Sequence, residues 1–190
     1  MTKVELPAAL KGRTVDANFT LFDVYTETRT LAAGYSTRYT TLVTYETLIT
    51  IKAAAQRWPH FEFVVVAHVA ADSMKGKLLA MANGLAAGIM ESSRGLKHVP
   101  LPGQPGSQLY VGDPASPQVL ALRDGLLGLF EQRNGWWVGA LDDSLTISKV
   151  VNTKSAAMGS FVPAEELDRF IDESLEIERT LRGRLAATPK

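Results

Sequence analysis

The sequence predicts an α+β fold that is mainly α, and three observations lead there. One short segment, residues 14 to 21, alternates polar and apolar side chains with period two. Several longer segments carry apolar residues at three-and-four spacing, the mark of a helix with one buried face. Residues 99 to 117 hold Pro100, Pro102, Pro105, Pro114 and Pro117, with Gly103, Gly106 and Gly112 between them. Neither side of that stretch has an evident complete core. The 190 residues therefore read as one domain, 1–190, with 99–117 as an internal crossover.

Taken in order, Thr14, Asp16, Asn18 and Thr20 fall on one face of the first segment, and Val15, Ala17, Phe19 and Leu21 on the other. That is a half-buried strand, and a threonine-rich continuation to Leu31 extends it or starts a helix. From Tyr39 to Trp58 the positions Leu42, Tyr45, Ile49 and Ala53 suggest a helix stopped by Pro59, although threonines at 40, 41, 44, 47 and 50 weaken it. From Phe61 to Ser93 the positions Val64, His68, Ala71, Leu78, Met81, Leu85 and Ile89 suggest one long helix, with Val64-Val65-Val66 as an alternative short strand. Within the crossover, Gln108-Leu109-Tyr110-Val111 is an extended piece. Val119, Leu122, Leu126 and Leu129 define a helix over 117–133, closed by Asn134-Gly135. Leu145 to Val151 reads as a strand. Pro163 opens the last helix, with Glu165 and Glu166 in its first turn and Arg182 and Arg184 in its last, both complementing the helix dipole. Leu167, Phe170, Ile171, Ile177 and Leu181 form its core face.

Composition excludes several classes of chemistry. There are no cysteines, which removes disulfides, zinc–thiolate sites, iron–sulfur clusters and thiol nucleophiles. Twenty basic and twenty acidic residues leave no net charge, which argues against coating the whole surface with polyanion but permits a local basic face. No basic start followed by an apolar core follows Met1, and the run Phe63 to Ala71 is too short to span a bilayer. The expected compartment is the cytoplasm, with no membrane partner. Gly76-Lys77-Leu78 fails the phosphate-loop pattern, and no Gly-x-Ser-x-Gly elbow is present. His68 and Asp72 would stand one helical turn apart, but two ligands do not make a metal site, so His68 reads as a core histidine. Asp142-Asp143 reads as a turn, and Glu165, Glu166, Asp168, Asp172 and Glu173 as a solvated helix flank. No catalytic residue, cofactor, metal or small-molecule substrate is expected. Trp136 and Trp137, adjacent on an extended segment, point to opposite faces, so at least one packs in the core or an interface, with ligand stacking as the lesser alternative.

The strand at 14–21 carries the sharpest functional reading. A two-stranded ribbon can enter the major groove of DNA and read base edges with its outward side chains. Asn18 and Thr20 are the candidates for base edges, and Lys11, Arg13 and Arg38 for phosphates. Asp16, on the same face, would repel phosphate. An ordinary strand with one wet face is the plain alternative. A ribbon of this kind needs a second copy, and Gly76, Gly84 and Gly88 on the predicted long helix allow close helix approach, so a homodimer is expected.

The order of elements resembles a family. Phe19-Thr20-Leu21-Phe22-Asp23-Val24-Tyr25-Thr26, the step Trp58-Pro59-His60-Phe61-Glu62-Phe63, and Leu109-Tyr110-Val111 before the helix at 117–133 look like the conjugative-element and plasmid protein family that includes the transfer activator AcaB. The resemblance implies a dimeric, sequence-specific DNA-binding activator of conjugative transfer genes, with a ribbon-helix-helix-like core and a helical C-terminal extension. The runner-up, from another class, is a non-enzymatic structural or assembly subunit such as a phage or secretion component. The neutral charge, the absence of an active-site motif and the long crossover fit it.

Overall fold

A computed structural model describes residues 2–5, 9–13, 17–32, 38–53, 57–65, 94–101, 107–131, 133, 135–149 and 161–188. The elements run β1 (Thr2–Glu5), β2 (Ala9–Arg13), β3 (Asn18–Ala32), β4 (Arg38–Lys52), β5 (Trp58–Val65), β6 (Lys97–Val99), β7 (Ser107–Val111), α1 (Pro117–Phe130), β8 (Trp136–Asp142), β9 (Ser144–Lys149), a 3-10 turn (Ala164–Glu166) and α2 (Leu167–Ala186). The chain is thus predominantly β, which corrects the mainly helical expectation. Among the described residues nine strands form one sheet in the order β1-β3-β4-β9-β8-β5-β7-β6, with β2 also paired to β3, and every described pairing is antiparallel.

The largest correction lies at 39–58. Tyr39–Lys52 are not a helix but belong to β4, and Trp58 begins β5. The threonines decide the matter, because β-branched side chains lose freedom on a helix and pack well on a pleated surface. Thr47, Ile49 and Ile51 alternate inward with period two, and cross-strand neighbours complete the element in a way no local pattern predicts. Residues 61–65 are likewise strand, which is the alternative that Val64-Val65 allowed. The remainder of the predicted long helix, with His68, Asp72, Gly76, Gly84 and Gly88, lies outside the described residues. So do Thr14, Val15 and Asp16.

The other elements follow their sequence signals. Phe19 and Leu21 point toward the core and Asn18 is exposed. Pro117 begins α1, and β7 is the extended piece inside the crossover. Asp142 adopts φ 54° at the β8–β9 turn, a left-handed conformation that Asp tolerates better than most side chains. Leu167 and Ile171 are half-buried on α2, while Phe170, Ile177 and Leu181 are fully so.

One face of the sheet makes the core. Leu21, Ile49, Ile51, Phe61, Phe63, Val65, Leu109, Val111, Val138, Leu145 and Ile147 pack beneath Val119, Leu122, Leu126 and Phe130 of α1 and Phe170, Ile177 and Leu181 of α2. Trp136 sits at the centre of an aromatic cluster, with ring centroids 5.9 Å from Phe130 and 5.8 Å from Phe170, and Phe130 is 5.4 Å from Phe63. Burying each such ring contributes on the order of 1.5–3 kcal/mol. The opposite face mixes Thr50, Thr146 and Glu62 with Phe22, Leu48, Val64 and Trp137, and Gln108, Tyr110 and Ser148 on it are buried.

No ribbon-helix-helix arrangement forms among the described residues. β3 is paired within its own chain on both sides, to β2 over Asn18–Phe22 and to β4 over its full length, so Asn18 and Thr20 do not belong to an intermolecular ribbon.

Candidate functional site

Three places on the second face and at the rim of the sheet hold chemistry, and each follows from strand register. The first collects most of the predicted DNA-contact residues. In the β2–β3 register Lys11 stands opposite Thr20 and Arg13 opposite Asn18, so all four positions share one face. Asn18 also stands opposite Lys52 of β4, which adds a cation that the sequence reading missed. Lys11, Asn18 and Lys52 are exposed and Thr20 is half-buried. Lys52 is held 3.7 Å from Asp143, so part of its charge is already answered. Arg38 is not part of this corner. It pairs with Ala32 at the far end of β3 and β4, roughly 45 Å from Asn18 at about 3.3 Å per residue.

The second place is the distal part of the β3–β4 hairpin. The two strands pair from Asn18–Lys52 to Ala32–Arg38. Among the described residues the rest of the sheet does not follow them that far: β9 pairs with β4 over Thr47–Lys52, and β2 with β3 over Asn18–Phe22. Among the described residues β1 alone continues, beside Tyr25–Thr28. The hairpin therefore runs on as an arm on the order of 30 Å long, at about 3.3 Å per residue. Its root is pinned. Thr47, fully buried, donates from Oγ1 to Asp23 Oδ1 at 2.6 Å and accepts from the Val162 backbone N–H at 2.9 Å. Next to it, burial pushes the Glu46 carboxyl above its ordinary value.

The third place is a cavity of about 420 Å³ on the second face. Trp137, the outward member of the tryptophan pair, lies along its own strand above Gly139. A Cβ at Gly139 would sit 2.5 Å from the indole Cη2 and Cζ2, so only glycine leaves room for the ring. Gly139 stands opposite Thr146 on β9 and Glu62 on β5, which makes these two residues the flanks of the indole. Thr146 is tied to Thr50 by a hydroxyl–hydroxyl hydrogen bond of 3.1 Å. Glu62 is almost fully buried and receives a hydrogen bond from the Arg94 guanidinium, whose side chain is largely exposed. Further along the row Tyr110 donates to Gln108 Oε1, and the His98 ring lies 5.4 Å from the Tyr110 ring. Burial, and then the negative charge of Glu62, push the Tyr110 hydroxyl above its ordinary value. Burial also lowers His98, because desolvation disfavours the charged ring.

The sequence pattern foresaw that the two tryptophans face opposite ways. Trp137-Val138-Gly139 carried a further signal, since an aromatic two residues from a glycine on a strand can lie over it. Glu62 and Arg94 had no such signal, because 32 residues separate them. No group of three His, Asp or Glu able to hold a metal occurs among the described residues, nor any helix long and apolar enough to cross a membrane. Comparison with known protein families, with characterised proteins and with solved structures returns no match to this chain.

Proposed function

We propose that this chain is a structural or assembly subunit that joins copies of itself through the β3–β4 arm. The carrying observation is the register: β3 and β4 pair over their full length, while among the described residues β2 and β9 engage only the proximal part. A ribbon of two or three strands is marginal in water unless something packs on it. An extended strand pair also offers backbone groups to a neighbouring chain. Shortening the arm tests the reading: residues 30 to 40 are replaced by Asn-Gly, which closes a two-residue hairpin. Sedimentation at tens of micromolar should show the natural chain associated and the shortened chain monomeric, with unchanged circular dichroism. A natural chain that sediments as a monomer throughout that range overturns the self-assembly.

A second reading, a DNA-binding regulator, is favoured by one specific observation, the gathering of Lys11, Arg13, Asn18 and Thr20 beside Lys52. It requires the sheet face rather than a ribbon between two copies. A DNA column run over a salt series decides it, since phosphate contacts release counterions and affinity falls steeply with salt. Lys11→Ala should flatten the salt slope by about one unit, whereas Asn18→Ala should relax preference at one base at a cost of about 1–3 kcal/mol. Flow-through at every salt removes the reading.

A further inference from the structure

We propose that the cavity over Trp137 and Gly139 binds a single nucleobase, stacked on the indole and read at its edge by the Glu62–Arg94 pair. This does not rest on the assembly reading, because the arm contributes no residue to the cavity.

Three features of the cavity select that ligand. Its floor is an aromatic plane. Trp137 is half-buried and lines the cavity, and the missing side chain at Gly139 lets the indole settle against the sheet. Flat rings stack on such a plane, and a base on an aromatic side chain gains about 1–3 kcal/mol. One wall offers hydrogen-bond acceptor and donor side by side. Arg94 uses one Glu62 oxygen, which leaves the second oxygen as an acceptor and further guanidinium N–H groups as donors. A ring N–H next to a carbonyl, as in guanine, hypoxanthine and uracil, matches that order: the N–H donates to Glu62 and the carbonyl accepts from Arg94. The size is also right. About 420 Å³ is near the lower end of small-molecule pockets, roughly 300–1,000 Å³, and is ample for a base.

The source of the base is either a free nucleoside or nucleotide, or a residue of a single-stranded nucleic acid. Both present the same ring. On the same face the β4–β9 register places Lys52 opposite Ser144, at the edge of the cavity, so a phosphate attached to the ring would have a cation within one strand of it.

The experiment uses the full chain, with guanosine, 1-methylguanosine, guanosine monophosphate and a short single-stranded oligonucleotide as probes. Calorimetry measures affinity and saturation-transfer NMR reports ring contact. Guanosine should bind with a dissociation constant of about 1 mM or tighter, the range that one stacked ring with two edge contacts supports. The 1-methyl analogue, which lacks the ring N–H, should bind more weakly. Trp137→Leu should weaken guanosine about fivefold or more, the lower bound of the stacking range. Should Trp137→Leu melt below the assay temperature, Arg94→Met replaces it: that side chain is largely exposed, and its loss removes the donor to the ring carbonyl, so guanosine should bind severalfold more weakly. Tighter binding of the oligonucleotide than of the monophosphate assigns the site to single strands, and the reverse assigns it to free nucleotides. Absence of binding by every probe to the folded chain overturns the proposal, and so does guanosine binding that neither variant alters.

Discussion

Thr47→Val is the substitution whose effect the structure sets most closely, because the change keeps the shape of a fully buried side chain and deletes its hydroxyl. Two hydrogen bonds go with it, the one donated to Asp23 at 2.6 Å and the one accepted from the Val162 N–H at 2.9 Å. A hydrogen bond to a charged partner contributes about 1.5–3 kcal/mol, and a buried N–H left unpaired costs about 1–3 kcal/mol. Asp23 is only half-buried and regains water, so its loss falls at the low end. The new methyl group recovers about 0.8 kcal/mol of apolar burial. The net loss is therefore about 2–4 kcal/mol. At about 2–4 °C per kcal/mol for a chain of this size, Tm should fall by roughly 5–15 °C. Differential scanning calorimetry with two controls makes the reasoning testable. Thr47→Ser keeps both hydrogen bonds and should lose only about 1 kcal/mol for the missing methyl group. Asp23→Asn keeps an acceptor oxygen and should cost less than Thr47→Val. A Thr47→Val chain that melts within about 2 °C of the natural one, or a serine variant as damaged as the valine variant, would refute the claim that this hydroxyl joins the arm root to the segment before α2.

Two further substitutions follow from the same structure. Burial holds the Glu46 carboxyl above its ordinary value, so the folded chain favours the protonated form; that stabilisation is complete below the unfolded pKa and is lost as pH rises through the raised folded one. Glu46→Gln should therefore raise Tm at neutral pH and give no gain near pH 4, and a gain that is the same at both values would exclude the carboxyl as its cause. Gly128 is exposed inside α1, and a Cβ there meets nothing within 4 Å. Gly128→Ala should add about 1 kcal/mol and raise Tm by roughly 2–4 °C; a lower Tm would mean that this side of α1 is packed against another surface.

What was legible in the sequence was what local chemistry determines. α1 and α2 carried apolar side chains at three-and-four spacing, a proline at one start and charges that oppose the dipole, and a helix closes all its hydrogen bonds within itself. The inward and outward faces at Asn18–Leu21 were legible for the same reason, since alternation is local. Tyr39–Trp58 was not, because Leu42, Tyr45, Ile49 and Ala53 satisfy a helical spacing while Thr47, Ile49 and Ile51 satisfy a strand spacing in the same segment. The β partners of that segment, Asn18–Ala32 on one side and Ser144–Lys149 on the other, are what decide between them. The second member of the latter pair lies about a hundred residues away in the chain, as the Thr50–Thr146 hydrogen bond illustrates. The corner of Lys11, Arg13, Asn18 and Thr20 was half legible: the facing was correct, but the strand's partners were sought in a second copy when they lay in the same chain.

The cavity lies beside the proximal end of β4 and takes no residue from the β3–β4 hairpin, and that separation from the arm makes each of them testable alone. Along β4 the arm lies beyond Thr47, the last residue with a described partner on β9. The cavity lies at the rows of Thr50–Thr146 and Lys52–Ser144, nearer the other end. Three to five residues of extended chain, roughly 10–17 Å, lie between them. They also belong to different faces. The Thr47 hydroxyl works on the helix-covered side with Val162, while Trp137 and Glu62 work on the opposite side. A sheet transmits little along a strand unless its register slips, and a slip by one residue would turn Ile49 and Ile51 out of the core. Packing of those two fully buried side chains under the helices therefore isolates the arm from the cavity. A substitution that weakens association at the arm leaves the Trp137 floor in place, and one that empties the cavity leaves the Thr47 junction intact, so a loss of either property can be assigned to its own set of residues.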